Sequence, residues 1–341
     1  MTRAAVVTRA PVLTPAPVLT PAAVLTRPAL TRRRDREMSV TLDTLPAMTR
    51  NRVDYSRPGA FTTLDAGQER LADGLPDNPV EICKAVQSLI IQPDDAASLP
   101  VGQERLAEKN LRRAGDIIGR LTGLDPAPLH VPRAPHLRVV GTCRHFAVIG
   151  CTLLRLRGIP ARARCGFATY FVPGKGVDHW IVEYWRPDER RWARIDTEIL
   201  GQTEIPGQTE IPSQTEILGQ TVVTDPADLA PGQFLTGGEA WARYRDGSID
   251  PDTFGVPGTT HAWGVGEIRG NAIRDLASLQ KLETLPWDEW GRMTASYRGE
   301  TGPDYDALMD RISAVCAKDD PDAIDDLYAS EDLRVPADLI R

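Results

Sequence analysis

The sequence predicts an α+β fold: a helix carrying a cysteine in its first turn, packed on an antiparallel sheet, with helical regions before and after. Three observations predict it. Thr142, a good N-cap, opens a largely apolar run that Gly158 and Ile159-Pro160 bring to a stop, so start and stop signals agree on one helix from Cys143 to Arg157. Ala161 to Asp196 then divides into three strand-like stretches separated by two turns. The flanks instead carry apolar residues at helical spacing.

Taken in order, residues 1–37 repeat a six-residue unit, as in Ala10-Pro-Val-Leu-Thr-Pro15 and Ala16-Pro-Val-Leu-Thr-Pro21, and the proline density predicts an extended, disordered segment. Its arginines resemble a transit peptide and Arg32-Arg33-Arg34 a twin-arginine signal, but no uninterrupted apolar stretch follows them; Met38 is the expected working start. Residues 38–125 read as a helical N-terminal region. Asn78-Pro79 caps a helix with Ile82, Cys83 and Val86 inward, and a second helix is expected over Gln103 to Leu121. The proline-rich stretch Pro126 to Pro135 is a connector into a catalytic core spanning 126–200. Thr197-Glu-Ile-Leu-Gly201 recurs from Thr203, Thr209 and Thr215, which marks 201–221 as a repeat-expanded surface loop. Residues 222–341 form a mostly helical C-terminal region, with a helix over Gly270 to Leu279 and an acidic helical face from Asp304 to Asp326.

Composition excludes several partners. The 341 residues carry 40 Lys plus Arg against 47 Asp plus Glu, for a net charge of −7, so no basic excess points to nucleic acid or an anionic membrane. The longest apolar runs are far too short to span a bilayer. Five cysteines, an odd number with no Cys-x-x-Cys pair, form neither a disulfide framework nor a zinc knuckle, and a cytoplasmic, reducing compartment is expected. Neither a cofactor nor a metal is expected. His130 and His136 lack ligand spacing, and the acidic run Asp319 to Asp326 lacks the glycine and spacing of a calcium loop. Oligomeric state leaves no trace in the sequence.

The chemistry lies between Gly141 and Asp196. Cys143 sits where unpaired N–H groups and the positive helix end favour thiolate, with Arg144 beside it. Cys151 and Cys165 have no such setting and read as small hydrophobes. His179 opens the second strand and Asp196 ends the third. If Arg186 to Glu189 form a four-residue hairpin loop, Trp185 pairs with Arg190 and His179 lies directly opposite Asp196 on one face. A slip of one residue separates them. Cysteine, imidazole and carboxylate in that arrangement make a nucleophile, a base and an orienting acid. His145, two positions along the helix from Cys143, points away and reads as packing; His261 has no cysteine partner in sequence order.

Gly-Thr-Cys-Arg-His-Phe-Ala at Gly141 to Ala147, Arg157 to Arg162, Asp178-His179-Trp180 and the strand ending Ile195-Asp196 together resemble the transglutaminase-like superfamily. The resemblance implies a papain-like α+β core with Cys143 as nucleophile, His179 as base and Asp196 as orienter. Arg144 follows the cysteine where the animal cross-linking enzymes have Trp, as in bacterial members, and those enzymes' calcium sites have no counterpart here. The expected activity is cysteine-dependent acyl transfer on an amide or peptide-like carbonyl through a thioester, ending in hydrolysis. The alternatives are transfer to an amine and an inactive, partner-binding module. Arg144 is a candidate substrate-carboxylate contact or else a solvated surface charge, and Trp180 is a candidate substrate-lining or shielding residue with core packing as its default role.

Overall fold

The structure, a computed structural model, describes residues 53–201, 223 and 225–340. The repeats of residues 1–37 and the Thr-Glu-Ile copies after Gly201 lie outside the described residues, and the unit described is Arg50–Arg341.

Local capping chemistry places the first helices. Asp65 accepts from the N–H groups of Gly67 and Gln68 to open α1 (Ala66–Arg70), and Asn78 does the same for Val80 and Glu81 at the start of α2 (Pro79–Val86). Ile82, Cys83 and Val86 face inward on α2, as their spacing predicts. β1 (Ile90–Ile91) and α3 (Pro93–Ala97) follow. The expected helix over Gln103 to Leu121 is instead two pieces, a 3-10 segment over Gln103–Asn110 and α4 (Ala114–Leu124). Buried charge breaks it. Glu108 pairs with Arg105 at 2.8 Å and accepts the Val140 N–H at 2.8 Å, while Arg105 donates to the His136 and Arg138 carbonyls. Ala114 N–H then donates to Phe61 O, which starts the second piece on a new axis.

These contacts fix β2 (Val139–Val140) parallel to β1, and Gly141 N–H donates to Ile91 O. The chain enters α5 (Cys143–Leu156) from there, and Arg157 caps it one residue before Gly158, whose φ of 69° only glycine adopts cheaply. Every residue of α5 from Cys143 to Arg155 is buried, so this is a central helix without a solvent face. Gly150 lets it approach the sheet closely: a Cβ there would lie 3.0 Å from Val182.

The three expected strands form β3 (Ala161–Ala168), β4 (Gly176–Arg186) and β5 (Arg191–Ile195). With β6 (Phe234–Thr236) the order is β5-β4-β3-β6, antiparallel throughout. α6 (Gly237–Arg245) follows, and β7 (Phe254–Gly255) adds a short parallel pairing at the start of β4. One face of β3 and β4, through Ala163, Cys165, Trp180 and Val182, shares a core with α2, α4 and α5.

The other side carries the C-terminal helices: α7 (Gly264–Leu279), α8 (Met293–Tyr297), α9 (Pro303–Lys318), α10 (Pro321–Tyr328) and α11 (Ala337–Ile340). A second core joins α6, α7, α9 and α10 to Phe167 and Leu235 of the sheet. Where α7 meets β3 the contact is ionic. Arg164 grips Asp275 of α7 with two bonds of 2.8 and 2.7 Å, and Glu183 receives Arg162, Arg164 and Arg194 at 2.7, 2.9 and 3.1 Å. Burial would raise the Glu183 carboxyl, but the three guanidinium groups overcome it and hold it well below the usual carboxylate range. The acidic run is likewise occupied locally: Asp319 pairs with Arg162 at 2.6 Å and Asp320 caps α10.

Candidate active site

The start of α5 is built from both sides. Parallel pairing with β1 fixes the strand before it, and Thr142 N–H donates to His145 Nδ1 at 3.1 Å. That bond and complete burial make His145 a helix cap, and burial and Arg144 lower its pKa to about 3, so its ring is neutral. Cys143 is the first residue of the helix, 7% exposed, and its own N–H has no acceptor within the helix.

His179 and Asp196 meet through a register that differs from the expected one. Arg186 pairs with Arg191 and Trp185 with Trp192, so the loop is residues 187–190, one position further along, and each partner on the third strand moves by two. Pro187 cannot donate to the ladder, and Arg190 closes the loop with φ 52°. A two-residue shift keeps the face, because side chains alternate with period two. The pair becomes diagonal instead of directly opposite, and His179 Nε2 still lies 2.8 Å from Asp196 Oδ2.

The carboxylate is fully engaged. Oδ2 also accepts from the Tyr170 hydroxyl, Oδ1 accepts from Glu198 N–H at 2.9 Å, and Asp196 N–H donates to Pro226 O. Phe171 stands edge-on to the imidazole, with ring centroids 4.9 Å apart. With Nε2 committed to Asp196, Nδ1 is left to face the cysteine, and a ring nitrogen of His179 lies within 4.8 Å of the Cys143 sulfur. Glu198 completes the group: one donor atom each from Cys143, His179 and Glu198 lie within 4.8 Å of one another.

Burial governs the electrostatics. It would lower His179, but Asp196 overcomes it and holds the imidazole well above its ordinary value. It raises the Cys143 thiol, and His179 beside it only partly offsets that. Burial thus outweighs what the helix end contributes towards the thiolate, and His179 is the neighbour that acts in the thiolate's favour. Cys83, Cys151, Cys165 and Cys316 are free, buried and raised further, Cys151 and Cys316 to about 12.

Both residues named as candidate substrate contacts are buried. Arg144 is 0% exposed; its guanidinium donates to Glu283 O at 2.9 Å and lies over Phe61, so it ties α5 to the C-terminal region and is no solvated surface charge. Trp180 is likewise fully buried, in the core shared with α5, and offers no surface to a ligand. Glu198 also lines a cleft of about 370 Å³, with Gln92, Asp95, Ser98, Arg138 and Phe146 among its walls. Tyr170, Phe171 and Glu198 were missing from the sequence reading. The aromatic pair ending the first strand stretch was a usable signal; Glu198 was hidden inside the first repeat copy, whose Thr197, Ile199 and Leu200 are buried instead of solvated.

A family model described as the transglutaminase-like superfamily matches residues 125–197, which run from the connector through Cys143 and His179 to just past Asp196. The chain carries a transglutaminase-like superfamily domain. No curated protein matches the chain. Among solved structures, it is similar to a presumptive cysteine protease from Cytophaga hutchinsonii (18% identity, 43% of this chain and 41% of that one, TM-score 0.29). It is also similar to red sea bream transglutaminase (16% identity, 41% of this chain and 27% of that one, TM-score 0.30). The chain thus spans less than half the length of either. The C-terminal helices lie outside the transglutaminase-like match, and no helix among the described residues is long and apolar enough to cross a membrane.

Proposed function

We propose that this transglutaminase-like domain catalyses cysteine-dependent acyl transfer on an amide or peptide-like carbonyl, ending in hydrolysis. The observation that carries the reading is the convergence on one imidazole: His179 gives Nε2 to Asp196, and its ring lies within 4.8 Å of the Cys143 sulfur at the tip of α5.

The steps follow from those positions. Cys143 Sγ passes its proton to His179 Nδ1 and bonds to the substrate carbonyl carbon, whose π electrons move to oxygen. The Cys143 N–H, free of a helical acceptor, stabilises that oxyanion. His179 gives the proton to the leaving nitrogen, the carbon–nitrogen bond breaks, and an amine and a thioester result. Water then loses a proton to His179 as it attacks the thioester; collapse expels the sulfur, which recovers the proton. The cleft that Glu198 lines mixes polar residues such as Gln92, Asp95 and Arg138 with apolar ones such as Ile90, Ile91 and Leu99. The reading takes water as the acceptor of the thioester because no docking surface for an amine-bearing second substrate is identified among the described residues.

The test is incubation with a library of glutamine, asparagine and peptide amides, reading ammonia or amine release and the covalent adduct at Cys143. Turnover that Cys143→Ala abolishes supports the reading. No release and no adduct across the library, from folded protein, overturns it.

A further inference from the structure

The group formed by Cys143, His179 and Glu198 has a chemistry that acyl transfer does not use. A thiolate sulfur, an imidazole nitrogen and a carboxylate oxygen are the three donor types that zinc takes, and here they converge within 4.8 Å from three separate elements. Around a tetrahedral zinc, with bonds of about 2.0–2.3 Å, such donors stand roughly 3.5 Å apart, so side-chain rotation of about an ångström closes the set. Two further features favour an ion. His179 has its other nitrogen on a carboxylate, the arrangement that fixes the ring of a metal-bound histidine and raises its basicity. Glu198 also lines the cleft of about 370 Å³, so the fourth position faces a space that admits water.

We propose that Cys143, His179 and Glu198 form a reversible inhibitory site for a zinc-class divalent cation, with cleft water as fourth ligand. Binding converts the Cys143 thiol to a zinc thiolate and releases its proton to solvent, together with any proton carried by the ligating His179 nitrogen or the Glu198 carboxyl; no electron is transferred. The bound ion takes the sulfur lone pair and the His179 nitrogen together, so nucleophile and base are blocked in one event. Chelation restores both. The site regulates the acyl transfer proposed above but needs only the three side chains to exist.

The test uses the full chain, reduced and metal-free, with Co²⁺ as a spectroscopic probe and Zn²⁺ as competitor. Expected is one equivalent of cobalt with a thiolate-to-cobalt charge-transfer band, lost in Cys143→Ala and displaced by zinc. Zinc should also protect Cys143 from iodoacetamide, and Glu198→Gln should need at least about 10-fold more zinc for equal protection, because it removes a charged ligand. No band and no protection, or equal protection in Glu198→Gln, overturns the proposal. The two readings fail separately: cobalt binding without amide turnover leaves the metal site standing, whereas turnover without cobalt binding removes it alone.

Discussion

Asp196→Asn tests the electrostatic core of the site. The substitution keeps size and shape and removes one negative charge from an oxygen 2.8 Å from His179 Nε2. With charge centres about 4 Å apart and an effective dielectric near 20, the lost attraction is about 4 kcal/mol. An asparagine oxygen still accepts the Nε2–H, and retaining that bond recovers about 1–2 kcal/mol. A net loss of about 2–3 kcal/mol lowers the population of thiolate paired with imidazolium roughly 30- to 150-fold. The assay is the rate of iodoacetamide labelling at each cysteine, read by mass spectrometry of peptides near neutral pH, with circular dichroism confirming the fold. The other cysteines are internal controls: a thiol near 12, as at Cys151 and Cys316, is about 10⁻⁴ to 10⁻⁵ thiolate at pH 7.5 and stays nearly silent. Wild-type protein should therefore label at Cys143 alone, and Asp196→Asn should slow that label by the stated factor. Equal rates in the two proteins refute the claim that the carboxylate sustains the pair.

Three other outcomes follow from the same structure. Tyr170→Phe removes a donor from the ionised Asp196, a bond of about 1.5–3 kcal/mol, so Asp196 titrates higher and the acid limb of the Cys143 labelling profile moves up by about 1–2 pH units; an unmoved limb contradicts this. Glu183→Gln leaves the buried Arg162 and Arg164 and the half-buried Arg194 without their shared anion and should cost about 3–5 kcal/mol in urea unfolding, whereas a loss below about 1 kcal/mol would show the network to be dispensable. Glu267, raised to about 7 by burial and by Asp178, binds a proton in the folded state that the unfolded chain gives up near pH 4.5. Its contribution is fully present below that value and is lost as pH rises through about 7, by up to about 3 kcal/mol, so Glu267→Gln should flatten the fall in stability between pH 4.5 and 8.

The sequence was most legible where one local signal decides one local structure. Thr142 and Gly158 bound α5 to within a residue, and three alternating stretches became β3, β4 and β5. It was least legible where long-range charge overrides periodicity. Ala107, Leu111, Ala114 and Ile118 have helical spacing, yet the buried Arg105–Glu108 pair and the Ala114–Phe61 bond split that helix. The hairpin pairing erred by two residues because loop closure depends on Arg190 taking a positive φ, which its residue type does not advertise. The even size of the error kept His179 and Asp196 together. Arg144 and Trp180 flank the two key residues in sequence, and proximity along the chain suggested substrate contact. On a fully buried helix and a central strand, neighbours of an active-site residue point into the core.

The C-terminal region, which sequence left without a role, touches the strand that carries His179. Gly166 of β3 pairs with His179, and a Cβ at Gly166 would collide with Leu235 O of β6, so the three strands are drawn tightly together at this level. Asn271 of α7 reaches the same place: its amide donates to Gly166 O at 3.2 Å and to Asp178 Oδ1 at 2.7 Å, and its carbonyl accepts from Arg274 at 3.1 Å. One side chain thus bridges α7, β3 and the residue before His179. Asn271→Ala should slow Cys143 labelling by up to about 100-fold, since displacement of a reacting group by about 1 Å is enough for that loss. A structural role alone would lower the melting temperature without changing the labelling rate of the folded protein. If the rate holds while stability falls, α7 merely covers the sheet; if the rate falls in protein that is still folded, the helix aims the imidazole, and the catalytic unit extends well beyond residues 125–197.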